Sequence, residues 1–159
     1  MRTPLNRSGS QGATIIEFAF VAPLFFFLVF ATIEFGRYFF VQHTVQYATR
    51  EGTRLALVGL HPDIDGKPMT REATIIKKIR DSADIAVKPD ELQISIYPVG
   101  ADYTDPTGWE TTVNAGQGGD YMRVRVQYKY YFMMPFIKGF FPTGVTVITA
   151  SALYRNELF

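Results

Sequence analysis

Between Glu17 and Glu34 the chain carries no charge, and most of that run is Phe, Leu, Ile, Val or Ala. The surrounding stretch, GATIIEFAFVAPLFFFLVFATIEFGR over residues 12–37, restricts the fold more than any other feature. A bilayer core is roughly 30 Å thick and is crossed by about 20 helical residues. Ala13 to Ile33 reaches that length with a single carboxylate, Glu17, inside it. A soluble core could bury so apolar a helix, but this one lies at the N-terminus behind a basic, polar leader. That placement predicts a single membrane-spanning helix, and the rest of the chain is its cargo.

The leader, MRTPLNRSGSQG, holds Arg2 and Arg7 and no acid. Positive charge beside a first span is retained in the cytoplasm. The expected division is therefore a leader at 1–12, a transmembrane helix at 13–35 and an extracytoplasmic domain at 36–159. This describes a single-pass inner-membrane protein with its N-terminus cytoplasmic and its C-terminal domain periplasmic or at the cell surface. A cleaved secretory signal also begins basic then apolar, but this run is too long for one and no A-x-A-like site follows. Pro23 removes a backbone donor inside the helix and predicts a kink. A net charge of +1 gives no reason to expect a nucleic-acid partner. Without cysteine the chain has no disulfide framework and no thiolate chemistry.

Beyond Arg37 the apolar pattern narrows to a stripe. Tyr38, Val41, Val45, Ala48, Gly52 and Leu55 recur in steps of three and four, with Gln42, Gln46, Arg50 and Thr53 on other faces. One long helix from about Ala13 to about Val58 is expected, ended by HPDIDGKP. Thr70 is a candidate N-cap for a second helix with Glu72 in its first turn, and Pro89 limits its extension. Ile75, Ile76, Ile79, Ala83 and Ala86 form its apolar face. Leu92, Ile94 and Ile96 alternate with Gln93, Ser95 and Tyr97, and Met122, Val124, Val126, Tyr128 and Tyr130 with Arg123, Arg125, Gln127 and Lys129. VTVITASALYR supplies a third strand. The fold class is α+β: a long membrane-spanning helix continues into a domain whose second helix packs on a three-stranded antiparallel sheet.

Glu17 is the leading functional candidate, because a carboxylate inside a membrane segment is costly and usually functional. A shallow position near headgroup water is the simpler account of it. Gly12 and Ala13 argue for more. A cut between them would create an amine about 6 Å of helix rise from Glu17. Amine and carboxylate could then neutralise each other, within one chain or between staggered neighbours.

Gly12-Ala13-Thr14-Ile15-Ile16-Glu17-Phe18 resembles the prepilin-peptidase site of Flp-type pilins, with cleavage after the glycine. GATIIEFAFVAPLFFFLVFATIEFGRY followed by QYATREGTRLAL resembles the TadE-like minor pilins of the tight-adherence (Tad) pilus machinery. The positions that carry the likeness are Gly12, Glu17, Phe18, Ala19, Pro23, Gly36, Arg37, Ala48, Arg50, Glu51 and Arg54. Gly36 and Arg37 match the family's membrane exit, while Thr53 stands where a small residue, commonly Ala, is expected. The resemblance implies a minor pilin or pseudopilin, cut by a prepilin peptidase, that primes or caps the fibre with other pilins and minor pilins. It also implies no enzyme activity and no cofactor. The nearest alternatives are an uncut, anchored component of the same machine, or a membrane-tethered module that binds a surface through the 99–120 loop.

Other constellations are weaker. Asp63-Ile64-Asp65-Gly66 resembles part of a calcium loop, but the glycine comes too early and Lys67-Pro68 follow, which fits a surface turn better. His43 and His61 lack companions at metal-ligand spacing. Asn114 to Gly119 is expected to be a flexible loop with no phosphate-binding Lys-Ser/Thr behind it. Arg123, Arg125 and Lys129 are expected on a solvated sheet face. Trp109 and the tyrosines around it are a candidate adhesive surface.

Overall fold

A computed structural model describes residues 8–58, 63–64, 67–141 and 143–158. Arg2, Arg7, His61, Asp65 and Gly66 lie outside the described residues, and with them most of the leader. Helix α1 runs unbroken from Ser8 to Val58, through Pro23. It begins within the leader, before the expected Ala13. Two residue pairs, β1 (Asp63–Ile64) and β2 (Lys67–Pro68), follow as an antiparallel ladder. Helix α2 (Arg71–Ala83) starts at Thr70, whose side chain accepts a hydrogen bond from the Ala73 amide at 3.2 Å. The expected cap is therefore the observed one.

The sheet is a meander in the order β3 (Leu92–Pro98), β4 (Tyr121–Tyr131), β5 (Val145–Arg155), antiparallel throughout. A four-residue helix, α3 (Pro135–Lys138), lies in the β4–β5 connection. The α+β architecture is thus as the sequence implied.

The core forms where the second half of α1 and the inner face of α2 meet the sheet. Val41, Val45, Ala48, Ile75, Ile79, Met122, Val124, Val126 and Tyr130 are all buried there. At the helix crossing, a Cβ added to Gly52 would collide with the Ile79 side chain, so glycine sets how closely α1 and α2 approach. The α1 stripe is wider than its apolar residues suggest. Thr44, Thr49 and Thr53 are buried as well, while Tyr38 and Leu55 are only half-buried. Each threonine returns its hydroxyl to the carbonyl four residues back, at 2.9, 2.7 and 2.7 Å, which satisfies a polar atom inside the core.

The outer face of the sheet departs from simple alternation. Ser95 and Tyr97, expected outward and wet, are buried because the 99–120 loop folds back over them. The Ser95 hydroxyl donates to the Glu110 carbonyl at 2.6 Å, and the Tyr97 ring lies 5.7 Å from that of Trp109. Arg123 and Arg125 correct the solvated-face expectation in the same way. Both bond the Asp105 carboxylate, Arg125 at 2.7 Å, and the Arg125 guanidinium lies 4.2 Å from the Trp109 ring centre. Trp109 is therefore a structural clamp in the fold. The other end of the face, around Gln93, Gln127, Lys129, Tyr131 and Val147, is an open concavity.

The glycine-rich segment is pinned too. Asn114 donates its amide to the Ile96 carbonyl at 2.8 Å, and the Ala115 amide donates to Glu72 at 3.1 Å. Asn156 Nδ2 donates to the carbonyls of Ala115 and Gln117 at 2.9 and 2.7 Å, and Arg71 joins Asn156 to the Ala56 carbonyl near the end of α1.

Candidate functional site

Helix α1 carries its two membrane-proximal carboxylates into opposite surroundings. Glu17 is exposed and makes no hydrogen bond or ion pair among the described residues. The apolar residues around it, including Ile16, Phe18, Phe20, Val21 and Leu24, are also exposed. Among the described residues, nothing covers that end of the helix.

Glu34 is 1% exposed. Its Oε1 accepts from Arg37 and from the Tyr130 hydroxyl, each at 2.9 Å. Its Oε2 accepts from the backbone amides of Met133 and Met134, each at 2.9 Å. Four donors from three parts of the chain thus converge on one carboxylate, which is how a buried charge becomes tolerable. Arg37 completes the latch by donating to the Tyr131 carbonyl at 2.6 Å, with its guanidinium 4.4 Å from the Tyr130 ring centre. Burial and then the hydrogen bond to Glu34 push the Tyr130 phenol well above its ordinary pKa. The end of β4 is therefore tied to α1 at the point where the apolar run stops.

The remaining sequence candidates fall along the same helix. Gly12 and Gly36 have open space where a side chain would stand, so packing among the described residues does not require glycine at either. Ala13 and Pro23 are exposed on the helix. Ala48 is buried in the core, while Arg50 and Arg54 are exposed. Glu51 lies 3.6 Å from Arg54 and 4.0 Å from Lys78 on α2. Gly12, Ala13 and Glu17 share one end of the helix, and Gly36 and Arg37 mark the other end of its apolar part.

Sequence reasoning missed the Glu34 latch by treating this residue as the edge of the apolar run. The available signal was a carboxylate and a cation three apart, Glu34 and Arg37, at the start of the domain-facing stripe. Tyr130, Met133 and Met134 could not be added from spacing, because they are nearly a hundred residues away.

Residues 12–54 match the family model of TadE-like proteins. This segment is TadE-like. The matched region begins at Gly12 and takes in Glu17, Pro23, Glu34, Arg37 and the motif through Arg54, bearing out the resemblance read from those residues. TadE-like proteins are pilin-like structural components associated with the Tad pilus. The apolar part of the TadE-like helix fits a single-pass membrane anchor by length and composition. Searches of curated proteins and of solved structures gave no match.

Proposed function

We propose that this chain is a minor pilin or pseudopilin of a Tad pilus that primes or caps the fibre. A prepilin peptidase cuts it between Gly12 and Ala13. The observation that carries this reading is the TadE-like helix with Glu17 without a partner among the described residues while Glu34, on the same helix, is fully satisfied. A carboxylate in apolar surroundings needs a counter-charge, and the Ala13 amine released by cleavage supplies one within a turn. Loss of Arg2 and Arg7 with the leader takes the formal charge from +1 to −1. It also removes the cations that hold the N-terminus at the cytoplasmic face of the inner membrane, so the helix can leave the bilayer for the fibre. Pro23 gives the helix a point at which to bend during that transfer. Other pilins and minor pilins of the system then cover the exposed apolar surface.

Intact-mass measurement of the protein from its native membrane tests the reading. The expected mass lacks residues 1–12. Replacing Gly12 with a bulky residue should leave the full-length chain, and Glu17→Gln should be cut yet enter fibres poorly. Fibres that assemble normally from uncut chains would overturn the cleavage, and normal assembly of cut Glu17→Gln would overturn the pairing.

A further inference from the structure

The β4–β5 connection descends alongside the membrane helix. Its entry is fixed at Glu34, which holds the amides of Met133 and Met134. From there α3 runs down α1 until the Phe136 ring lies 5.1 Å from that of Phe27. Seven helical positions separate Phe27 from Glu34, so the connection drops about 10 Å along the axis. It then climbs back, and Phe141 stacks on Phe132 at 4.2 Å between ring centres.

That descent takes the connection into the depth range of the apolar run. If the bilayer ended at Phe27, Ala13–Phe26 would offer only about 21 Å of helix against a hydrocarbon core of roughly 30 Å. Filling the core requires α1 to remain in lipid to about Ile33, and at that depth α3 lies beside it. The composition of the connection agrees. Phe140 is 77% exposed and Met133 64% exposed. Lys138, on the exposed surface of α3, has a stem long enough to return its amine to the headgroups. Glu34 is no obstacle at this depth, because its charge is already neutralised and hydrogen-bonded inside the protein.

We propose that the α3 connection is a second membrane contact, seated in the outer leaflet of the bilayer that α1 crosses. The occupant of its exposed face is lipid acyl chain. The domain is thereby held at two points, so that its orientation to the membrane plane is fixed before assembly. The proposal rests on the reading of α1 as a membrane span, and the test separates the two.

Because the chain has no cysteine, single nitroxide labels can be placed on the full-length protein. Phe140→Cys, Phe20→Cys and Asp102→Cys would be reconstituted in phosphatidylethanolamine/phosphatidylglycerol vesicles. Collisions with oxygen, which concentrates in lipid, are compared with collisions with a water-soluble nickel chelate. All three positions are exposed, so labelling leaves the core untouched. The expected result is several-fold more oxygen than nickel contact at 140 and 20, and the reverse at 102. A label at 140 that behaves like 102 while 20 stays in lipid overturns the α3 contact and leaves the span intact. A label at 20 that behaves like 102 overturns both.

Discussion

The two halves of α1 follow one geometry and opposite energetics. Its second half, from Glu34 onward, is finished within the chain: Val41, Val45 and Ala48 are buried, threonine hydroxyls are bonded, and Glu34 holds four donors. Its first half is unfinished, with exposed phenylalanines and a Glu17 that has no partner among the described residues. A helix built this way divides its work. One half fixes a domain, and the other presents an exposed apolar surface that fits a membrane anchor by length and composition. The same carboxylate chemistry serves as a latch in one place and a vacant socket in the other, and surroundings alone decide which.

The largest expected effect separates the halves directly. Val45→Asp places an unpaired charge at a fully buried site and should destabilise the domain by about 3–5 kcal/mol. Val21→Asp, at an exposed position on the other half, should leave the thermal melt of detergent-solubilised protein unchanged while impairing membrane insertion. Equal melts for the two variants would break the comparison.

A second carboxylate–tyrosine pair sharpens it. Asp105 resembles Glu34 in accepting from a tyrosine and from arginine, but it is carried on the exposed 99–120 loop itself. Partial burial raises its pKa, and the bonds from Tyr97, Arg123 and Arg125 more than offset this, holding it below the ordinary 3.8. Its contribution is therefore present above 3.8 and lost as pH falls through the lower, folded value. Trp109, the only tryptophan, reports on the same clamp through Arg125. Its fluorescence should change on acidification below about 3.8, and Asp105→Asn should already show the altered signal at neutral pH.

The smallest effect is spectroscopic. Burial, then the hydrogen bond to Asp105, pushes Tyr97 up to about 12. Tyr130, facing the better-buried Glu34, is displaced further. Phenols stabilised in the protonated form contribute stability below their unfolded value, and that stability is lost as pH rises through the folded value. In an alkaline absorbance titration, Tyr97 should ionise near 12 and Tyr130 only as the fold gives way. Burial also pushes Tyr154 up to about 12, so Tyr97→Phe should shrink the step near 12 without abolishing it.

The sequence made the helices and strands legible because period and punctuation agreed. The stripe through Val41 and Val45 and the Thr70 cap each came from local spacing. What escaped was the pairing of distant groups. Alternation marked Ser95, Tyr97, Arg123 and Arg125 as outward, which is their correct side, but it could not show that a loop returns to cover them. The Asn114–Gly119 glycines looked mobile because bonds from Glu72 and Asn156 come from remote elements. In the candidate site, Glu17 stood out because a charge inside an apolar run is a local anomaly. Glu34 did not, because its importance lies in Tyr130 and two amides nearly a hundred residues on.

The distinction between latch and socket is tested most directly by melting full-length Glu34→Ala and Glu17→Ala side by side in the same detergent. Glu34→Ala takes the carboxylate from the part-buried Met133 and Met134 amides and from the Tyr130 hydroxyl, which keeps only the residue 34 carbonyl at 3.4 Å, and a buried donor left unsatisfied costs about 1–3 kcal/mol. The expected result is a melting temperature well below the parent's for Glu34→Ala and indistinguishable from it for Glu17→Ala. A Glu34→Ala protein that melts like the parent, or a Glu17→Ala protein that melts as low as Glu34→Ala, would contradict the account.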